Sequence, residues 1–237
     1  MTSQTTRSIA RLSGWAYLGI IAMGLFAEFF VRMRLVEADD AAATLANIAA
    51  QAPLFRAGLA ADAIMVALDI AVAVGLYALL RPVDRTLAAL AAAFRLIQAA
   101  VLAANLANMA SALQWATAGV AGGAPSLPAA ATMTLASLQL HRVVYDLGLI
   151  FFGLACLLLG HLFRVSRQVP TLIAIGLSVA GVVYLLGSFA VVLAPTLAPR
   201  LEPMYALTLA AELAFALRLV TKGVREPAPE PAGRPTT

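Results

Sequence analysis

Six long apolar runs, each of roughly 20 residues, dominate the sequence and restrict the structures that the chain can adopt. A helix of about that length crosses the hydrocarbon core of a bilayer, and a backbone in lipid has to satisfy its own hydrogen bonds. The runs predict an all-α, polytopic membrane bundle of about six transmembrane helices in a domain over residues 1–225. Residues 226–237 are Pro-rich and polar, which predicts a disordered tail. The predicted spans are 12–31, 57–80, 86–112, 138–163, 171–193 and 204–221.

The shortage of charge supports the same class of protein. Only 12% of the 237 residues are charged and 62% are hydrophobic, whereas about a quarter of the residues of a soluble domain are charged. The net charge of +4 does not indicate a nucleic-acid partner. Proteins that bind nucleic acid gather their basic residues on one face, but here these residues stand singly or in pairs between apolar runs. We therefore expect membrane lipid, not nucleic acid, as the partner.

Basic residues in the connections predict how the helices are oriented. Cytoplasmic segments of membrane proteins carry an excess of Lys and Arg. With the N-terminus inside, ten basic residues fall on the cytoplasmic side and four on the outer side. We therefore predict a multi-pass protein of the cell (inner) membrane with both termini in the cytoplasm.

Two connections on the predicted outer side contain helical patterns. Asp39 and Asp40 are placed to cap an Ala-rich helix that continues to Gln51 and rests at the membrane interface. The segment 119–139 begins with Gly and Pro and becomes helical beyond Ser126. A continuous helix from there through the fourth span would be about 50 Å long, so we expect it to bend or to lie partly across the outer face. Both elements are candidate lids.

Ionisable and amide side chains interrupt the apolar spans. A charged group at the bilayer centre costs at least about 2.5–3.5 kcal/mol, so such a group is expected to face protein or water and to have a partner. The candidate site residues are Glu28, Asp62, Asp69, Arg95, Gln98, Asn105, His141, Tyr145, Asp146 and Glu212, together with Arg56 at the outer end of the second span.

The short connection between the second and third spans fixes which of these groups meet. An antiparallel hairpin with equal rise on both helices brings Asp69 to the depth of Arg95, near the bilayer midplane. A buried Arg–carboxylate pair carries both charges into lipid. Such a pair is consistent with a structural clamp that fixes helix register and equally with a functional role.

The sequence gives no signature of a metal or cofactor. His141 and His161 are separated by about 30 Å along one helix, which excludes haem ligation by both. A zinc site needs three or four ligands, and no spacing of His, Cys or carboxylates supports one. Cys156 lies in an apolar run and is interpreted as a small buried hydrophobe.

Seven polar groups share one depth, in the outer half of the membrane. They are Glu28, Arg56, Asp62, Asn105, His141, Tyr145 and Asp146. Because intramembrane charge is costly, this grouping favours a polar cavity that opens outward. The alternative is a closed structural network in which the groups satisfy one another.

The chain resembles a bacterial family of small membrane proteins catalogued as domain of unknown function 4386. The resemblance implies six membrane helices and supports Glu28, Arg56, Arg95 and His141 as site residues, but it implies no activity. Its motifs are Arg11-x-x-Gly14-x-x-Tyr17-Leu18, Gly24-x-x-x-Glu28 with Arg32, Asn47-Ile48, Leu54-Phe55-Arg56, Leu76-Tyr77, Leu80-Arg81-Pro82-Val83, Phe94-Arg95, Leu140-His141, Ile150-Phe151-Phe152-Gly153-Leu154, Cys156-Leu157-Leu158-Leu159-Gly160, Pro170, Gly181, Tyr184 and Pro195.

Two classes of function remain open. In the first, an intramembrane enzyme uses His141 with one of Glu28, Asp62 and Asp146 as an acid–base pair on a lipid- or isoprenoid-like small molecule. Arg56 and Arg95 would then stabilise a developing anion. In the second, the same groups bind a small molecule without chemistry, as in a receptor or transporter, or they satisfy one another completely in a structural subunit that packs against another membrane protein. Paired breaks in the spans, typical of common transporters, are missing from the sequence.

Overall fold

The structure, a computed structural model, describes residues 3–124 and 126–225 and contains only helices and their connections over that part of the chain. The predicted tail at 226–237 lies outside the described residues. The helices are α1 (Ser3–Leu25), a π-helix (Phe26–Arg32), α2 (Met33–Leu35), α3 (Ala41–Ala50), α4 (Ala52–Leu80), α5 (Arg85–Val120), α6 (Leu127–Ser166), α7 (Thr171–Leu193), α8 (Ala198–Leu201), a 3₁₀ turn (Glu202–Met204) and α9 (Tyr205–Lys222).

Six of the helical stretches are long and apolar enough to cross a membrane, which confirms the predicted polytopic bundle. The first span joins α1, the π-helix and α2, and the sixth joins α8, the 3₁₀ turn and α9. The spans are Gln4–Leu35, Ala52–Leu80, Arg85–Val120, Leu127–Ser166, Thr171–Leu193 and Ala198–Lys222.

The spans are arranged as a closed ring. Each packs against its neighbours in sequence, and α1 also packs against α9, so the first and last spans complete the ring. We call the end where α1 begins and α9 ends the terminal end, and the opposite end the distal end. One apolar cluster fills the terminal half and another fills the distal half. The polar side chains described below lie between or beside them.

The fourth span is part of a much longer helix. Helix α6 runs without interruption over 40 residues, Leu127–Ser166, with its N-cap at Ser126. Its distal part is protected by protein, because α3 packs across the distal ends of α5 and α6. Leu45 and Ile48 of α3 are buried there. The predicted cap of α3 is confirmed, since the Ala43 N–H donates to the Asp40 carboxylate over 2.8 Å.

Close helix crossings depend on glycine. A Cβ atom at Gly181 would lie 2.7 Å from the carbonyl oxygen of Gly153, and one at Gly14 would lie 2.8 Å from the backbone nitrogen of Val220. Neither contact leaves room for a methyl group, so these residues let α6 approach α7 and let α1 approach α9. Small residues at such crossings allow the close backbone packing that stabilises helices in lipid.

Candidate functional site

A buried ion pair occupies the centre of the bundle. Arg95 of α5 donates to the carboxylate of Asp69 of α4, as the hairpin register predicts, and Arg95 is only 1% exposed. The guanidinium also lies over two aromatic rings, 5.1 Å from the centroid of Tyr17 and 4.9 Å from that of Phe152. Cation–π contact with the two rings helps to compensate the cost of removing this charge from water.

The carboxylate of Glu212 joins three spans beside this pair. It accepts hydrogen bonds from the hydroxyl of Tyr17, at 3.0 Å, and from the hydroxyl of Tyr184. Thr208, one turn before Glu212, in turn donates to the Tyr184 oxygen over 3.0 Å. Together with Asp69 and Arg95, these residues form what we call the central network. It holds α1, α7 and α9 together around the ion pair.

A second group of charges lies closer to the distal end. Arg32 donates from Nη1 to Asp62 of α4 over 2.6 Å and from Nε to Glu28 over 2.7 Å. Asp62 is buried, whereas the side chain of Glu28 is about half exposed. Together with Asn105 and His141, these three residues form what we call the distal polar cluster.

The π-helix at the end of the first span positions Arg32. In this segment the Met33 N–H donates to the carbonyl of Glu28, five residues earlier, so the turn is wider than in an α-helix. The π-helix packs tightly on α4, because a Cβ atom at Gly58 would lie 2.9 Å from Cγ1 of Val31. Arg32 follows Val31 and therefore lies beside α4. It contacts Asp62, which is one helical turn beyond Gly58. Short π-helical segments occur frequently at functional sites.

His141 belongs to α6, which does not carry the other members of the distal polar cluster. It is buried, and it lies near enough to Arg32, Asp62 and Glu28 for their charges to act on its imidazole. Asn105 of α5 donates from Nδ2 to the backbone carbonyl of His141 over 2.9 Å, which fixes α6 against α5 at this depth.

Several buried polar atoms of both groups remain without a hydrogen-bond partner among residues 3–124 and 126–225. They are Asp62 Oδ1 and His141 Nδ1 in the distal polar cluster, and Asp69 Oδ2, Arg95 Nε and Arg95 Nη1 in the central network. Oε1 of Gln98, which belongs to neither group, is likewise unpaired. More than nine in ten buried polar atoms are normally paired, and an unpaired one often marks water, an ion or a functional role. The unpaired oxygen of Asp62 and nitrogen of His141 belong to the same cluster.

The structure separates two predicted residues from the rest. Arg56 is exposed on the outside of the bundle and lines a groove of about 430 Å³ between α4 and α5. Asp146 lies near the exposed ion pair between Arg142 and Glu202 at the distal end. Tyr145 is partly buried, with its ring centroid 6.1 Å from that of His141. The other residues that line the groove are Leu59, Ala60, Ala63, Leu106, Ala107 and Ala110.

Within the described residues, no three His, Cys, Asp or Glu side chains are grouped so that they could hold a metal ion. Cys156 is buried as a free thiol near the central network.

Comparison with known proteins gives a family for this chain. A family model described as a domain of unknown function (DUF4386) matches residues 12–223. The chain belongs to the DUF4386 family. No functionally curated protein and no solved structure matches it. The match covers all six spans of this DUF4386 protein except the first residues of the first span, so both polar groups lie inside the family domain.

Four residues of the two polar groups of this DUF4386 protein are not predicted as site residues by the sequence: Arg32, Tyr17, Tyr184 and Thr208. Arg32 lies just beyond the predicted first span, which ends at Val31, although Glu28 four residues earlier indicates an ion pair on one helix face. Tyr17 and Tyr184 appeared only in the family motifs. Their role could not be anticipated, because nothing in the sequence aligns α1 and α7 with Glu212.

Proposed function

We propose that this DUF4386 protein takes up an amphipathic, lipid-like small molecule from the bilayer, and that His141 and Asp62 act on its polar group by acid–base chemistry. The observation that carries the proposal is the pair of unpaired buried atoms, Asp62 Oδ1 and His141 Nδ1, in one cluster around Arg32. A carboxylate and an imidazole are the usual donors and acceptors of protons in enzymes.

Arg32 has a supporting role in this proposal. It already binds Asp62 and Glu28, so one guanidinium orients both carboxylates. An anionic or strongly polar ligand group would compete with Glu28, the more exposed of the two partners. Binding would then release Glu28 and keep Asp62 paired with Arg32.

The groove between α4 and α5 supports a hydrophobic ligand. Its lining is apolar apart from Arg56. Ala63 and Leu106 in that lining follow Asp62 and Asn105 directly in sequence, so the groove and the distal polar cluster share one depth. A groove of about 430 Å³ is within the size range of small-molecule sites. We assign it to the apolar part of the ligand.

Binding without chemistry is the second candidate, and one observation favours it. Asp62 is held in an ion pair with Arg32, and an ionised, paired carboxylate is a poor proton donor. In this case the distal polar cluster would recognise the ligand, and His141 would donate or accept a hydrogen bond without transferring a proton.

The test begins with the ligand itself. Wild-type protein and the variants Asp62→Asn and His141→Ala would be purified in mild detergent, and co-purified amphiphiles identified by mass spectrometry. Glu202→Gln and His161→Ala are matched controls, because Glu202 is an exposed distal carboxylate and His161 is an exposed histidine of α6. We expect one amphiphile to be retained by the wild type and both controls and lost from Asp62→Asn.

Turnover then separates the two candidates. The wild type should convert the identified molecule in reconstituted vesicles, whereas His141→Ala should bind it without forming product. Binding by the wild type without conversion would favour the recognition role. Equal recovery of every amphiphile from Asp62→Asn and Glu202→Gln would overturn the proposal, because the distal polar cluster would then be structural.

We also propose that the distal end faces outward from the cell (inner) membrane and that the termini are cytoplasmic. The support is the excess of basic residues in the connections at the terminal end. The ligand would then enter from the outer leaflet.

A further inference from the structure

The hairpin between α4 and α5 forms a second groove, at the terminal end and far along both helices from the distal polar cluster. Its volume is about 380 Å³. It is lined by Tyr77, Arg81, Pro82 and Arg85. Three of these four residues belong to the motifs through which the chain resembles its family.

Two arginines line this groove without a balancing carboxylate within the described residues. Across residues 3–124 and 126–225, neither Arg81 nor Arg85 has an acidic side chain within ion-pair distance. The nearest acid in sequence, Asp84, caps α5, since its Oδ1 accepts the Leu87 N–H over 2.9 Å. Two like charges on one groove repel each other, and a bound anion would remove this cost.

The turn holds the two cations in a fixed relation. The Val83 N–H donates to the carbonyl of Leu80 over 2.9 Å, and Pro82 restricts the backbone between them. Arg85 is the first residue of α5, where the positive end of the helix dipole disfavours a cation. An anion in the groove would be stabilised by both guanidinium groups and by this dipole.

The depth of the groove identifies the kind of anion. Arg81 directly follows the second span and Tyr77 lies one turn inside it, so the groove lies at the membrane surface. Tyr is typical of this interface, where its ring contacts lipid tails and its hydroxyl contacts head groups. We propose that this groove binds the phosphate head group of an anionic phospholipid, with Arg81 and Arg85 on the phosphate oxygens and Tyr77 donating from its hydroxyl.

The test uses the full-length chain in detergent, titrated with phosphatidylglycerol or phosphatidylcholine and observed by native mass spectrometry. Phosphatidylglycerol should bind more tightly than phosphatidylcholine. Arg81→Ala and Arg85→Ala should each weaken phosphatidylglycerol binding about fivefold, which is the effect of one surface cation on an anionic lipid. Phosphatidylcholine binding should not change.

Three controls keep the outcome unambiguous. Arg164→Ala removes an exposed arginine of α6 at the same end of the bundle and should leave phosphatidylglycerol binding unchanged. Arg81→Lys keeps the charge and should retain most of the binding, which separates loss of charge from loss of folding. Inorganic phosphate, added as a competitor, should not displace the lipid.

Three results would overturn the inference. Equal affinity of the wild type for both lipids would show that charge is not recognised, and an equal effect of Arg164→Ala would show only a diffuse surface attraction. Displacement by millimolar inorganic phosphate would indicate a site for a soluble anion instead. The lipid selectivity is independent of the distal polar cluster, so Asp62→Asn should leave it unchanged.

Discussion

Arg32 and Asp62 join the first and second spans through a 2.6 Å contact between Nη1 and Oδ2, and the π-helix that carries Arg32 lies directly on Gly58 of α4. The pair therefore depends on a helix contact four residues away from Asp62. The geometry of the distal polar cluster is a consequence of backbone packing, not only of the attraction between two charges.

Gly58→Ala should disturb this pair without removing either charge. The new methyl group would overlap Val31 and push the π-helix away from α4, which we expect to cost about 1–3 kcal/mol of stability. Thermal unfolding in detergent measures the loss. Gly24→Ala is the control, because its Cβ atom would make an ordinary 3.4 Å contact with the sulfur of Met65. Equal loss of stability in both variants would contradict the role assigned to Gly58.

Arg95→Leu should be strongly destabilising on its own. It leaves Asp69 buried without its partner, and breaking a buried pair in this way costs about 3–5 kcal/mol. The double variant Asp69→Leu/Arg95→Leu should recover a large part of that loss, because it removes both charges. A double-mutant cycle on steric-trap or reversible detergent unfolding measures the coupling.

The exposed pair between Arg142 and Glu202 serves as the comparison for that cycle. Its side chains are 70% and 53% exposed, so its coupling should not exceed about 1 kcal/mol. A coupling at Asp69 and Arg95 as small as this would mean that the central ion pair does not hold α4 and α5 in register.

Glu212→Ala should destabilise the bundle more than Glu212→Gln. The glutamine still offers an oxygen to the hydroxyl of Tyr17 or Tyr184, whereas alanine leaves both buried hydroxyls without an acceptor. Each buried group left unpaired costs about 1–3 kcal/mol. Unfolding midpoints of the two variants test this order, with Glu202→Ala as the exposed control. Similar midpoints for alanine and glutamine would show that the tyrosines do not depend on Glu212.

Cysteine labelling should reveal the orientation of the chain. Cys156 is the single cysteine and is completely buried, so the native protein should give little background reaction with a maleimide. In intact cells, a membrane-impermeant maleimide should label Ala121→Cys at the distal end, and should label Lys222→Cys only after lysis. The opposite pattern would reverse the proposed orientation.

The number of spans and their helical state followed from the sequence, because a bilayer permits few alternatives for apolar runs of this length. The pairing of Asp69 with Arg95 also followed, since a short hairpin fixes depth on both of its helices. Neither inference needed knowledge of how the six spans are arranged around the ring.

The contacts between distant spans could not be predicted in the same way. The π-helix lies where Val31 packs against Gly58, which is a tertiary contact. It places Arg32 against α4, although the predicted first span ends one residue before Arg32. His141 and Asp146 lie at nearly the same depth on one helix, which is why the sequence predicts them in one group. Side chains that are five residues apart on a helix point toward different neighbours, so only His141 belongs to the distal polar cluster.

The hydrogen bond between Tyr17 and Glu212 has a consequence for how the protein is made. Tyr17 is among the first residues to enter the membrane during synthesis, and its acceptor is supplied by the last helix. Until that helix is inserted, Arg95 and the tyrosine hydroxyls face an open side of an incomplete ring. A chain that stops before Tyr205 would therefore expose buried polar groups to lipid. Insertion of the sixth span is thus the step at which membrane quality control can distinguish finished chains from unfinished ones.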